Sequence, residues 1–92
     1  MMDLAEKAAV IDRICRMERY FDRVQEAAKD GAALETPAVR EMLEELIRYY
    51  EDGQWLADYR LDEEGGLPTE LKRGVLSQDG LYDLLSGLER QN

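Results

Sequence analysis

The chain reads as an all-α domain: a long antiparallel helical hairpin with two or three short C-terminal helices packed against it. Three observations predict this. Apolar residues recur every three to four positions nearly throughout. Gly31, Gly53, the pair Gly65-Gly66 and the two prolines punctuate the long periodic segments. Alternation of apolar and polar residues never lasts, and the only β-branched neighbours are Val10-Ile11, so no strand pattern competes.

The first helix is expected over residues 3–29. Val10, Ile14, Met17, Phe21, Val24 and Ala28 step by 4, 3, 4, 3, 4, and Leu4, Ala8, Ile11 and Cys15 widen the stripe toward the N-terminus. Side chains at that spacing share one face of a helix. At ~1.5 Å per residue the helix would be about 40 Å long. Its other face is charged, with Asp12–Arg16 at i,i+4 and Arg19–Asp22, Arg23–Glu26 and Glu26–Lys29 at i,i+3. Such pairs add only ~0.2–0.5 kcal/mol each, so packing of the stripe must hold the helix. Asp30-Gly31 stops it, with the glycine expected in the left-handed C-terminal position.

Thr36 and Pro37 start the second helix, over residues 37–52, as N-cap and first helical residue. Val39, Leu43, Leu46 and Tyr50 step by 4, 3, 4, with Met42, Ile47 and Tyr49 beside them. A short connection between two amphipathic helices predicts the antiparallel hairpin. Gly53 ends the second helix, and residues 54–63 form a shorter third one carrying Trp55, Leu56 and Tyr59. Gly65-Gly66 ends that. Leu67-Pro68-Thr69 reads as a turn and Glu70 to Arg73 as one helical turn. Ser77 caps a last helix over residues 78–90, where Asp79 complements the helix dipole. Leu81, Leu84, Leu85 and Leu88 supply its stripe. Gly80 and Gly87 each cost about 1 kcal/mol of helix propensity, so docking on the hairpin must order this helix.

The 92 residues make one domain. Surface scaling allows about 64% of the chain's surface to be buried, enough for one modest core without a deep pocket. Net charge is −9, shared as −5 over residues 1–52 and −4 over residues 53–92. No basic cluster exceeds Lys72-Arg73. Phosphate neutralisation dominates nucleic-acid binding, so no nucleic acid is expected, and no anionic membrane surface. The charge suits solubility or a basic partner. Cys15 is the single cysteine, so no intrachain disulfide forms. Asp3, Glu6 and Lys7 break any signal-peptide run, and no apolar stretch approaches the ~20 residues of a membrane span. A cytoplasmic location is expected.

Histidine is absent, which excludes Ser-His and Cys-His nucleophile pairs and histidine metal ligation. Phosphate-binding glycine motifs and calcium loops are also absent. No enzymatic activity, metal or cofactor is expected. Four residue groups remain. Asp58 and Asp62 lie at i,i+4 beside Glu63 and Glu64 and could hold a hard cation, although a solvated acidic helix end is the plainer reading. Lys72, Arg73 and the helix start at Ser77 could contact an anion, against which stands pairing of the two bases with Glu63, Glu64 or Glu70. Tyr49, Tyr50, Trp55 and Tyr59 crowd around Gly53, as a partner-binding patch or as the packed junction of helices two and three. Cys15, with Arg16 and Arg19 nearby, reads as a small buried hydrophobe rather than a reactive thiol.

The C-terminal block carries a resemblance. Tyr49-Tyr50, Gln54-Trp55, Asp62-Glu63 and the unbroken run from Leu67 to Leu85 resemble a bacterial family of small proteins, domain of unknown function 4298. The resemblance spans roughly residues 10–90. It implies a short, acidic, stand-alone helical protein with the segment from Leu71 to Asp79 as its hallmark, and it brings no activity, cofactor, partner or catalytic residue.

Two functional expectations follow. The first is a non-enzymatic interaction or adaptor module whose partner meets the aromatic junction or the Lys72–Asp79 segment. The second is an accessory protein or enzyme subunit that binds a small anion at Lys72, Arg73 and Ser77. The stripe of the first helix is longer than the second helix can cover, so either the C-terminal helices cover the remainder or a second copy does, and a homodimer is expected.

Overall fold

The computed structural model describes residues 3–31, 33–77 and 80–90. The domain is all-α, a long hairpin with short C-terminal helices laid against it. α1 runs Leu4–Ala28, α2 Pro37–Glu51, α3 Gln54–Glu63 and α4 Gly80–Arg90. Short 3₁₀ turns occupy Ala33–Glu35 and Gly74–Leu76, and there is no strand among the described residues.

α1 begins where Asp3 accepts a hydrogen bond from the Glu6 N–H at 2.7 Å. Its stripe is buried from Ile14 onward, through Met17, Phe21, Val24 and Ala27. The helix closes at Lys29 in right-handed conformation, with the Lys29 and Asp30 N–H groups donating back to Glu26 and Ala27. Gly31 does not take the left-handed role expected of it; positive φ occurs at Gly53 and Gly65. Thr36 does sit at the N-cap of α2 with Pro37 at the first position, but its hydroxyl makes no capping bond. The surface charge pairs anticipated along α1 do not close to ion-pair distance among the described residues.

Val39, Leu46 and Tyr49 of α2 face α1 and complete the hairpin core. Gly53, with φ of 87°, turns the chain from α2 into α3 in a conformation that side chains resist. α3 crosses back against α2 and ends at Gly65-Gly66, where the Gly66 N–H donates to the Leu61 carbonyl. The segment Glu70–Arg73 is not the helical turn the sequence suggests; the tight turn comes three residues later, where Val75 and Leu76 enter the core. Leu67 and Leu81 enter it on either side. Asp79, expected in the first turn of the last helix, lies outside the described residues, as does the start of that helix before Gly80.

The molecule measures 43 × 24 × 22 Å. Its length is that of α1. With 25 residues against 15 in α2, α1 outruns its partner helix. Residues 4–9 are exposed, Leu4 at 88%. The stripe joins the core only from Val10 on, which leaves this end bare. No helix among the described residues is long and apolar enough to cross a membrane.

Two substitutions test this architecture by urea unfolding. Leu46→Ala, at a fully buried position, is expected to cost about 2–5 kcal/mol. Gly53→Ala, which meets no neighbouring atom within 4 Å, is expected to cost about 1–2 kcal/mol from backbone conformation alone. No loss at Gly53→Ala would mean that the α2–α3 turn relaxes to negative φ.

Candidate functional site

Three helices meet at one buried carboxylate. Asp58 of α3 is only 2% exposed. The Arg13 guanidinium of α1 donates to both its oxygens, from Nη2 to Oδ1 at 2.5 Å and from Nε to Oδ2 at 3.0 Å. The Tyr49 hydroxyl of α2 donates to Oδ2 at 2.6 Å. A two-pronged arginine and a phenol satisfy a charge that burial alone would make costly. Those hydrogen bonds raise the Arg13 pKa, against burial, which lowers it, and with help from attraction to Asp58. Burial first, then the bond to Asp58, pushes the Tyr49 phenol well above its ordinary value. The group therefore joins a guanidinium and a phenol that holds its proton tightly to one side chain of α3. Asp58 and Tyr49 are buried within it, while Arg13 keeps a quarter of its side chain exposed.

The hallmark segment is tied down in the same way. Trp55 Nε1 donates to the Val75 carbonyl at 2.8 Å, and the Val75 N–H is shared by both oxygens of Glu18 at 3.3 Å each. Glu18 is buried on α1 at 6% exposure. A Cβ on Gly74 would come within 2.9 Å of Glu18 Oε1, so glycine there lets the 3₁₀ turn lie against the carboxylate. Arg73 closes the preceding loop: Nη2 donates to the Pro68 carbonyl at 2.7 Å and Nη1 to that of Thr69 at 3.3 Å. Its Nε lies 3.0 Å from Asp62 Oδ1, an ionic contact too poorly aligned to count as a hydrogen bond. Ser77 Oγ accepts from the Gly80 N–H at 3.1 Å and so caps α4.

These contacts locate each residue the sequence singled out. Asp58 and Asp62 each meet an arginine from elsewhere in the chain, while Glu63 and Glu64 beside them are exposed. No group of three or more metal-capable side chains occurs among the described residues. Arg73 faces inward onto carbonyls and Asp62, Ser77 caps α4, and Lys72 is exposed. The three do not converge on a common point. The aromatic group divides. Tyr49 lies in the core, while Tyr50, Trp55 and Tyr59 form a half-buried staircase with ring centres 5.3 and 5.2 Å apart, the Trp55–Tyr59 step nearly parallel at 19°. Cys15 is half-buried and unpaired with any cysteine.

The open surface lies elsewhere. α2 has a wider apolar face than α1 can cover: beside the buried line of Val39, Leu46 and Tyr49 runs a half-buried line of Leu43, Ile47 and Tyr50. α4 packs on α1 and on the 3₁₀ turn at Gly74–Leu76, with Leu81 fully buried there. It does not close down on the second line of α2. A groove of about 310 Å³ remains, with Leu43, Ile47 and Tyr50 on one wall and Tyr82, Leu85 and Leu88 on the other. Tyr82 at its mouth is 55% exposed. Past Leu43, Ile47 and Leu88 the groove continues into a second depression of about 470 Å³, bounded by Gly31, Leu34, Glu35, Arg40 and Glu44. From Arg40 to Glu51 the floor is about 16 Å long, or three helical turns.

The sequence model of the family described as Domain of unknown function (DUF4298) matches residues 14–90. No curated protein and no solved structure is significantly similar to the chain.

Two measurements test the buried tie. Arg13→Met leaves Asp58 unpaired and is expected to cost about 3 kcal/mol, the lower end for a buried pair because Arg13 is a quarter exposed. Arg13→Met with Asp58→Leu should cost less than Arg13→Met alone, since no charge is left stranded. The raised Tyr49 pKa has a definite sign. Below pH ~10 the phenol is protonated in both states and titration contributes nothing. Above it the unfolded chain loses the proton and the folded chain keeps it, so stability falls by up to ~1.4 kcal/mol per pH unit. Urea midpoints between pH 10 and 11 should therefore drop more steeply for the native chain than for Tyr49→Phe; parallel slopes would contradict the buried phenol.

Proposed function

Because the chain belongs to the DUF4298 family, we propose a function from geometry alone: a non-enzymatic protein–protein interaction module that seats a partner segment in the groove between α2 and α4. The observation that carries this reading is the uncovered second apolar line of α2, facing the leucines of α4 across an open gap. Contiguous apolar grooves with polar rims are where soluble domains bind partners. A channel three turns long between two helices matches the way an amphipathic helix is received in a hydrophobic groove.

The reading refines both sequence-based expectations. Of the aromatic residues first considered, Tyr50 contributes to the groove, and Tyr49 and Trp55 serve to fasten helices together. Anion binding at Lys72, Arg73 and Ser77 is the weaker reading, since Arg73 already donates to the Pro68 and Thr69 carbonyls and lies 3.0 Å from Asp62.

In-cell photocrosslinking tests the proposal. A benzophenone amino acid placed at Tyr82 is expected to form an adduct with a protein partner, and that adduct should disappear when Ile47→Asp is added. No adduct from position 82, or equal adducts from an identical label at Lys72, would overturn the groove as the docking surface.

A further inference from the structure

We infer that the occupant of this groove is a cationic amphipathic helix, with an apolar stripe about three turns long and lysines or arginines on its flanks. The inference rests on the groove reading above and adds the chemistry of the partner. The floor is apolar, but the rim is not neutral. Glu35, Glu44 and Glu51 border it at both ends and along the α2 side, with Arg40 as the one opposing base among the described residues. None of these three carboxylates makes an ion pair among the described residues. All three are exposed. Asp58 and Glu18, the acids closest to the core, are satisfied internally, whereas these rim carboxylates stay open beside an apolar floor.

Charge also argues against a second copy as occupant. Each chain carries −9. The one long apolar end a second copy could offer is the bare start of α1, and that end brings Asp3 and Glu6 against Lys7 alone. An acidic segment entering an acidic rim meets repulsion at every flank. A cationic helix gains attraction at the rim and apolar contact along the floor, and it is steered from a distance by the field of the whole chain.

The test uses two synthetic helical peptides of about 14 residues. Both carry leucines at i, i+3, i+4 and i+7; one has lysine and the other glutamate at the remaining positions. Affinities for the full chain are read by fluorescence anisotropy. Two charge-reversed proteins accompany the native one: Glu44→Lys with Glu51→Lys on the rim, and Glu26→Lys with Glu64→Lys at exposed positions outside the groove. The expected result is binding of the lysine peptide alone, weakened roughly tenfold by the rim pair and less than about twofold by the distant pair. Equal binding of both peptides would overturn the cationic partner and leave the groove reading standing. Equal weakening by the rim and distant pairs would overturn it as well, since attraction would then reflect net charge alone. Failure of both peptides to bind, with the native chain at its monomer mass in light scattering, would remove the groove reading itself. Twice the monomer mass, lost on Ile47→Asp, would assign the groove to a second copy instead.

Discussion

The carboxylate of Asp58 is the constraint around which this small domain is arranged. It is the point where α1, α2 and α3 touch one another through polar atoms, each helix contributing one member: Arg13, Tyr49 and Asp58. Apolar packing is tolerant of sliding, because one leucine fits a gap nearly as well a turn further along. A two-pronged arginine against a carboxylate is not tolerant. A register shift of α3 on the hairpin would bury a charge without its partners, at a cost of several kcal/mol. The hydrophobic stripe therefore supplies the drive to collapse, and the polar tie selects one alignment from those the stripe permits.

The run from Leu67 to Ser77 performs the same service for the last helix. Apart from the exposed Lys72, its conspicuous residues are engaged with the chain itself: Arg73 with the Pro68 and Thr69 carbonyls and with Asp62, Gly74 and Val75 with Glu18, Ser77 with Gly80. Together they turn the chain sharply and hold α4 against α1 rather than against α2. The groove is the product of that choice. What draws the eye in this stretch of sequence shapes the groove without lining it.

Much of the architecture was legible. Stripes at three- and four-residue steps located the hairpin, Thr36-Pro37 and Gly53 marked its joints, and Ser77 capped α4 as expected. The misreadings share a cause. Spacing tells which residues lie on a common face, but not which face meets which. Asp58 and Asp62 were rightly grouped, yet each turns toward an arginine that sequence distance hides, Arg13 lying 45 residues away. Glu18 could have been noticed, because it falls four residues after Ile14 within the apolar stripe, where a solvated acid has no place. The groove could not have been found, since it depends on where α4 comes to rest. Gly31 and Glu70–Arg73 erred locally: a helix can close by tightening its last turn, and a loop held by arginine needs no helical hydrogen bonds.

The bare end of α1 has a consequence for how the molecule moves. A particle of 43 × 24 × 22 Å tumbles faster about its long axis than end over end. Backbone amides parallel to that axis, those of α1 above all, would report slower reorientation than amides lying across it. Anisotropy of that kind would arise from rigid shape and would persist however still the interior is.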